Sequence, residues 1–324
     1  MPDGDLLISA TVPDYYTSVR EEYFSVRTNA GIHHNPLAVF SITGTDTLDL
    51  LQRISTNDVS AAEPGTICST FLITEKAKIV AFVTLLKLPD SCLLFTDICL
   101  RDIIIPWIDK FIIMEDVVVS DVSEGYDSYT LIGSHAASIL ETFSASSQQD
   151  GGYILKDASW MMPCFHFLFP HELIESIVAK LNLPLIGKSA FNTIRIENGV
   201  PAHGYELTEL SNPLETNLSQ FISFTKGCYI GQEVIARIDT YHKLKKRLVG
   251  LVIDAKEEIT LPGKLLVGAN EEGWTTSHAW SYALEANIAM GYLKSSVTES
   301  DPLLFVRPGE SAGMRAAIHS FPIS

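Results

Sequence analysis

Apolar positions along the chain switch repeatedly between two periods, and each switch predicts a change of element. The segment DYYTSVREEYFSVRTNAGIHH, residues 14–34, spaces its apolar residues as one helix that Gly31 would end. PLAVFSITG then alternates as a strand running into a turn at Gly44. TDTLDLLQRIS returns to the helical period through Leu48, Leu51 and Ile54, with Thr45 or Asp46 as N-cap. GTICSTFLITEKAKIVAFVTLLKLPDSCLLFTD reads as three strands broken by polar turns at Glu75-Lys76 and Pro89-Asp90. CLRDIIIPWIDKFII is helical, with an irregularity expected at Pro106. VVVSDVS and SYTLIG read as strands, SHAASILETF as a helix capped by Ser134, WMMPCFHFLFP as a strand and HELIESIVAKL as an amphipathic helix. Strands interleaved with helices in this way predict an α+β body.

Past Lys243 the texture changes. KRLVGLVI, KLLVGANEEGWTTSHAW, NIAMGYL, PLLFVRP and AGMRAAIHSFPI are short strands between glycine, proline and acidic turns, with SYALEAN as at most one helical turn. This pattern predicts a small all-β, barrel-like domain. The expected divisions are an N-terminal α+β domain over 1–120, a central α+β domain over 121–242, with a boundary open to interleaving, and a C-terminal β-barrel over 243–324.

A chain of 324 residues with 46% hydrophobic content has material for more than one core. The 39 acidic and 23 basic side chains give a formal charge of −16, which disfavours stable binding to nucleic acid or to anionic membranes. The longest apolar passage, DIIIPWIDKFIIMEDVVVSDV, is interrupted by Pro106, Asp109, Lys110, Glu115 and Asp116, so no membrane span is expected. The five cysteines, Cys68, Cys92, Cys99, Cys164 and Cys228, form no CxxC, which argues against a disulfide framework or a zinc motif and for a reducing compartment. The acidic start MPDGDLLISATVPDYY has neither signal-peptide nor presequence character. A cytoplasmic location is the expectation, or the mitochondrial matrix if a presequence has been removed.

Two stretches carry candidate chemistry. In GKSAFNTIRIENGVPAHGYEL, Ser189 opens a short helix that Gly199 ends, which puts Glu197 on its last turn. A carboxylate there gains nothing from the helix dipole. It either accepts a bidentate pair of hydrogen bonds from a ring such as a pterin or purine, or lies at the surface, paired with Arg195 or hydrated. In FTKGCYIGQEVIARIDTYHKLKKR, Cys228 precedes a helix beginning at Gln232 and Glu233, two residues from Lys226. Both features favour a thiolate if the sulfur is exposed. The competing reading is a small side chain filling a glycine-lined turn. The basic run Lys243, Lys245, Lys246 and Arg247 reads either as a polyanion contact or as the solvated edge of the first barrel strand. No HExxH, GxSxG, phosphate loop or spaced ligand set occurs, and His33 and His34 point apart in regular structure, so no metal site is expected.

The stretch KGCYIGQE, Lys226 to Glu233, followed by Ala236-Arg237, resembles the signature of the YgfZ branch of the folate-binding YgfZ/GcvT-like superfamily. RTNAGIHHNPLAVFSITGTDTLDLLQRISTNDV, GKSAFNTIRIENGVPAHGYEL and NIAMGYL resemble the shared N-terminal, central and barrel regions. The resemblance implies three domains around a central channel that admits tetrahydrofolate or a one-carbon derivative. It implies Glu197 as the pterin-holding glutamate and Cys228 as the hallmark thiol. Lys226, Tyr229, Gly231, Gln232 and Glu233 are its motif companions and Arg237 the arginine that follows; Lys226 is expected to act beside the thiol, and Tyr229, Gln232 and Arg237 to bind the folate together with Asn57 and Asp58 of TND. In the aminomethyltransferases a GGIxDD stretch supplies the catalytic aspartate, whereas here AKIVAF places Ala81 and Phe82 at the aspartate positions and Ala77 at a glycine. The function implied is an accessory role in iron-sulfur protein maturation or repair, with an effect on tRNA modification and iron-sulfur proteins or assembly factors as partners. The alternative is a one-carbon transferase of the glycine cleavage T-protein type with an altered active site.

Overall fold

The computed structural model describes residues 12–146, 151–241, 243–255, 259, 261–310 and 312–323. The first part of the chain folds as α1 (Val19–Thr28), β1 (Gly31–His34), β2 (Leu37–Thr43), α2 (Thr47–Ile54), β3 (Ile67–Ile73), β4 (Ile79–Lys87), β5 (Ser91–Asp97), α3 (Arg101–Ile108) and β6 (Val118–Asp121). It continues as β7 (Tyr126–Ile132), α4 (Ala136–Ser146), β8 (Tyr153–Lys156), β9 (Cys164–Pro170), α5 (His171–Leu181), α6 (Lys188–Asn198) and α7 (Gln232–Thr240). The last part is β10 (Lys246–Ile253), β11 (Lys264–Val267), β12 (Asn270–Ser281), β13 (Ala286–Lys294), β14 (Leu303–Val306) and β15 (Gly313–His319).

Two compact units divide the chain discontinuously: residues up to Asn35 with Ser128–Ile194, and Pro36–Asp127 with Arg195–Ser324. In the first unit a four-stranded sheet has the order β1-β7-β9-β8. Its core joins Ile32 and Leu131 to Phe143 of α4, Phe167 and Phe169 of β9, and Ile174 of α5.

The second unit holds a five-stranded sheet, order β3-β4-β5-β2-β6, and a closed antiparallel barrel, order β10-β13-β12-β11-β14-β15. The period of two in β3 and β4, broken once by a register shift where Leu72 pairs Ala81 and Ile73 pairs Ile79, sorts their side chains between two faces. Cys68, Leu72, Ala81, Val83 and Leu85 pack with Leu50, Leu51 and Ile54 of α2 and Ile104, Trp107 and Ile108 of α3. Phe71, Ile73 and Ile79 pack the other way, against Leu207, Leu218, Phe221, Ile222, Tyr229 and Ile235. Each such aromatic or branched side chain contributes about 1.5–3 kcal/mol on burial. A strand buried on both faces needs a second covering layer, and here that layer is the largely irregular passage from Gly199 to Gly231. The barrel core centres on Leu251, Leu265, Ala289, Leu293 and Phe305.

The expected α+β body and all-β C-terminal barrel are both present. Several local expectations differ. The first helix stops at Thr28, and Gly31 opens β1 instead of ending a helix, because His33 and its neighbours pair with β7 in antiparallel register. Trp160–Pro163 lies outside β9, and β8 is an additional four-residue strand too short to announce itself. Ala77 takes a left-handed φ of 55° without glycine, so the β3–β4 turn closes despite the substitution. Its N–H donates to Thr74 O at 2.8 Å, and its carbonyl accepts from Asn212 Nδ2 at 3.0 Å.

Candidate functional site

The KGCYIGQE segment is held against the turn that follows α2 by backbone groups. Ile230 N donates to Arg53 O at 3.0 Å, and Ser223 N to Thr56 O at 2.9 Å. Thr56 in turn bridges outward, its Oγ1 donating to Phe221 O at 3.1 Å and accepting from Phe71 N at 3.0 Å. The glycine at 231 is required twice. Its φ is +78°, and a Cβ there would lie 2.7 Å from Thr74 O and 2.8 Å from Ile73. That close approach sets α7 against the β3–β4 hairpin.

Along this segment two exposed residues lie between two buried side chains. Lys226 and Tyr229 are buried; Gly227 and Cys228 are exposed. Lys226 Nζ donates to Ser55 O at 2.8 Å and Asn57 O at 2.6 Å, and lies 5.1 Å from the Tyr229 ring. Burial pulls its pKa down to about 8, against the pull of Asp58 and Cys68. The ammonium therefore braces the turn after α2 from inside, and the expected partnership with the Cys228 sulfur is replaced by these two carbonyls. Tyr229 belongs to the apolar layer over β3, where burial pushes its phenol up to about 12.

Asn57 and Asp58 shape the same turn. Asn57 Nδ2 donates to Ser69 O at 2.9 Å, and its Oδ1 accepts from Asp58 N at 2.9 Å. Asp58 Oδ1 accepts from Gln52 Nε2, Ser60 Oγ and Ala61 N at 3.0, 2.7 and 3.2 Å. Gln232 Oε1 accepts from Tyr229 N at 3.3 Å. Arg237 stands apart on the exposed side of α7, paired with Glu233 at 3.2 Å. Lys226, Asn57, Asp58, Tyr229 and Gln232 thus gather at one place.

Glu197 is held elsewhere in the same unit. It is 3% exposed, and its Oε1 accepts from Ser281 Oγ at 2.6 Å at the end of β12. Its carbonyl accepts from Ile323 N at 2.7 Å. The surface reading of this glutamate is therefore excluded. Arg195 turns to Glu206 instead, with Nη1 3.0 Å from Oε2, and donates from Nη2 to Ser277 Oγ at 2.8 Å. Glu206 is fully buried and also accepts from Ala202 N at 3.0 Å and Thr276 Oγ1 at 2.6 Å. Sequence reasoning missed this network; its only signal is the pair of opposite charges eleven residues apart.

At the positions where the resemblance puts the T-protein aspartates, Ala81 is buried and Phe82 packs with Phe71 and Phe221 at ring distances of 4.9 and 5.2 Å. His203 Nε2 accepts from Phe82 N at 3.1 Å. Burial holds this imidazole below its ordinary pKa, against the pull of Asp97.

Burial raises the Cys68 thiol to about 11 and also raises Cys92 and Cys164. Cys99 is exposed at the surface, yet partial burial and the Asp97 carboxylate push it up to about 12. The basic run divides: Lys243 and Lys245 are exposed, as the solvated reading expects, but β10 is paired on both sides in the closed barrel and is no edge, and the other two side chains are engaged. Lys246 Nζ lies 4.0 Å from the Tyr292 ring and 3.3 Å from Glu215, and Arg247 Nη2 donates to Val297 O at 2.8 Å. Among the described residues no helix is long and apolar enough to cross a membrane.

Comparison with known proteins agrees with this architecture. Residues 8–155 match the GCVT N-terminal domain, and residues 246–322 match the glycine cleavage T-protein C-terminal barrel domain. An aminomethyltransferase of Aquifex aeolicus is 28% identical over 87% of this chain and 81% of its own length. A relative from Arabidopsis thaliana, described as chloroplastic, is 26% identical over 78% of this chain, which spans only 62% of that relative. The glycine cleavage system aminomethyltransferase T of Bartonella henselae has the same fold, with a TM-score of 0.84 and 18% identity over 97% of this chain and 91% of its own. With both domains matched in order, and the sheet and closed barrel that go with them, the chain belongs to the GcvT-type, glycine cleavage T-protein family.

Proposed function

We propose that this protein binds a reduced folate and handles its one-carbon unit, as a transferase of T-protein type whose amine site has changed. Glu197 carries the reading. It stands at the position that the resemblance gives to the pterin-holding glutamate, on the last turn of α6, with Oε1 held by Ser281 Oγ at 2.6 Å, and a pterin presents adjacent N–H and amino donors to such a carboxylate. The altered amine site rests on Ala81 and Phe82, which have no group able to orient or deprotonate an amine. Calorimetric titration with tetrahydrofolate and 5-formyltetrahydrofolate tests the first part. Glu197→Gln should weaken binding by about 1.5–3 kcal/mol, the worth of a charged hydrogen bond. Unchanged affinity would overturn the assignment. For the second part, no methylenetetrahydrofolate should form from an aminomethyl donor, while folate binding persists. Turnover at a T-protein rate would refute the altered site.

A second reading follows from Cys228. Its exposed position on KGCYIGQE supports a sulfur contact with a partner iron-sulfur protein or assembly factor, and through such clients an effect on tRNA modification. One cysteine does not hold a cluster alone, so the contact would be shared or transient. Cys228→Ser should stay folded and bind folate, yet fail to restore iron-sulfur enzyme activity in cells lacking the protein. Full rescue at matched protein levels would leave Cys228 as a surface residue without this role.

A further inference from the structure

The β8–β9 hairpin gathers three groups that the spacing D-x6-C-x-H does not advertise. Cys164 and His166 are two residues apart on β9 and so share a face. Asp157 follows the last residue of β8, and its N–H donates to Cys164 O at 3.0 Å. The Asp157 carboxylate, the Cys164 sulfur and a His166 ring nitrogen all lie within 4.8 Å of one another.

From this arrangement we propose a zinc-binding site in which Asp157, Cys164 and His166 supply three ligands and water the fourth. Thiolate, imidazole and carboxylate together suit a borderline-soft divalent ion, and three protein ligands leave one position open. Zinc bonds of about 2.0–2.3 Å put tetrahedral ligand atoms roughly 3.3–3.8 Å apart. His166 Nε2 is 2.9 Å from Asp157 Oδ2, and all three ligand atoms lie within 4.8 Å of one another. Small side-chain rotations therefore suffice.

The surroundings already orient two ligands. Ser159 donates to Asp157 Oδ1 from N at 2.8 Å and from Oγ at 2.6 Å, which turns Oδ2 toward His166. His166 Nδ1 lies 3.0 Å from Thr130 Oγ1. A threonine hydroxyl either donates or accepts. Without metal, Nε2–H donates to the carboxylate and Nδ1 accepts from Thr130. With metal, Nε2 gives its lone pair to zinc, and Nδ1–H donates to Thr130. Starting from the neutral ring, this change of tautomer conserves its proton, so the proton released on binding is that of the Cys164 thiol. Outer-shell support of this kind is what fixes ring orientation at metal sites.

The test uses the full chain, stripped with a chelator and then freed of it. Zinc is titrated by calorimetry in buffers of different ionisation enthalpy, and cobalt(II) by absorbance. One equivalent should bind, release about one proton, consistent with thiol deprotonation, and give a thiolate-to-cobalt charge-transfer band. Cys164→Ser should abolish the band and lower zinc affinity by more than about 100-fold, and Thr130→Val by about 10–100-fold. Cys99→Ser and Cys228→Ser should retain both signals. If Cys164→Ser does not fold, Asp157→Asn and His166→Gln decide by the same readouts. The proposal is overturned if no saturable binding occurs. It is overturned equally if the signals survive the hairpin substitutions and disappear with Cys99 or Cys228.

Discussion

His33 shows how far a side chain can be moved from its ordinary chemistry by packing alone. Its ring stacks on Phe191 at 3.9 Å, and its Nδ1 is 2.7 Å from Ile186 O. Burial lowers its pKa to about 4, opposed by that hydrogen bond and reinforced by the charges of His34 and Lys188. The unfolded chain takes up the proton near pH 6.5 while the folded chain stays neutral, so stability is lost as pH falls from 6.5 toward 4. The slope attributable to this one group is at most about 1.4 kcal/mol per pH unit. Urea denaturation at pH 7 and pH 5 should show a smaller acid loss for His33→Phe than for the parent. Identical losses would assign the acid sensitivity to other groups. At this scale the sequence is informative where the cause is local. The apolar neighbours of Cys68 signal its burial, whereas the glycine-lined turn left Cys228 open between an exposed thiol and a turn filler, and the structure exposes it. Lys226 turns inward because of carbonyls at Ser55 and Asn57, some 170 positions earlier, which no local pattern contains.

Among the elements, strands with clean alternation and helices with a single apolar stripe were legible, since each needs only its own period. The passage from Gly199 to Gly231 was not. Its order comes from side chains standing in for a backbone ladder, as in the capping box where Asn212 and Glu215 close the turn at Pro213–Glu215. The end of α6 was legible through Gly199, whose φ is +71°. The structure adds a second demand, because a Cβ there would lie 2.3 Å from the Phe321 ring. Gly199→Ala should destabilise by roughly 2–4 kcal/mol, combining left-handed strain with overpacking. Chemical denaturation measures it, and a change under about 0.5 kcal/mol would show that Phe321 yields freely.

For the whole molecule, the class and the terminal barrel could be read from texture, whereas the grouping of candidate residues could not. Arg195 and Glu206 illustrate the reason, since their partners Ser277 and Thr276 lie on β12, far along the chain. This buried pair joins the end of α6 and the loop after it to the barrel. Removing one member leaves a charge without its counter-ion, so Arg195→Met should cost about 3–5 kcal/mol. Loss of cooperativity between barrel and sheet signals in the denaturation curve would accompany it. A neutral effect would mean that donors such as Ala202 N and Thr276 Oγ1 suffice to hold the Glu206 carboxylate.

The discontinuous second unit also governs the order of events on the ribosome. Phe71 and Ile73 emerge early, but Phe221 and Tyr229, which cover them, follow roughly 150 residues later. At about 5–20 residues per second the nascent sheet presents this bare aromatic face for on the order of 10–30 seconds. Chaperone capture during synthesis should therefore centre on the β3–β4 hairpin and end once the KGCYIGQE segment has been made.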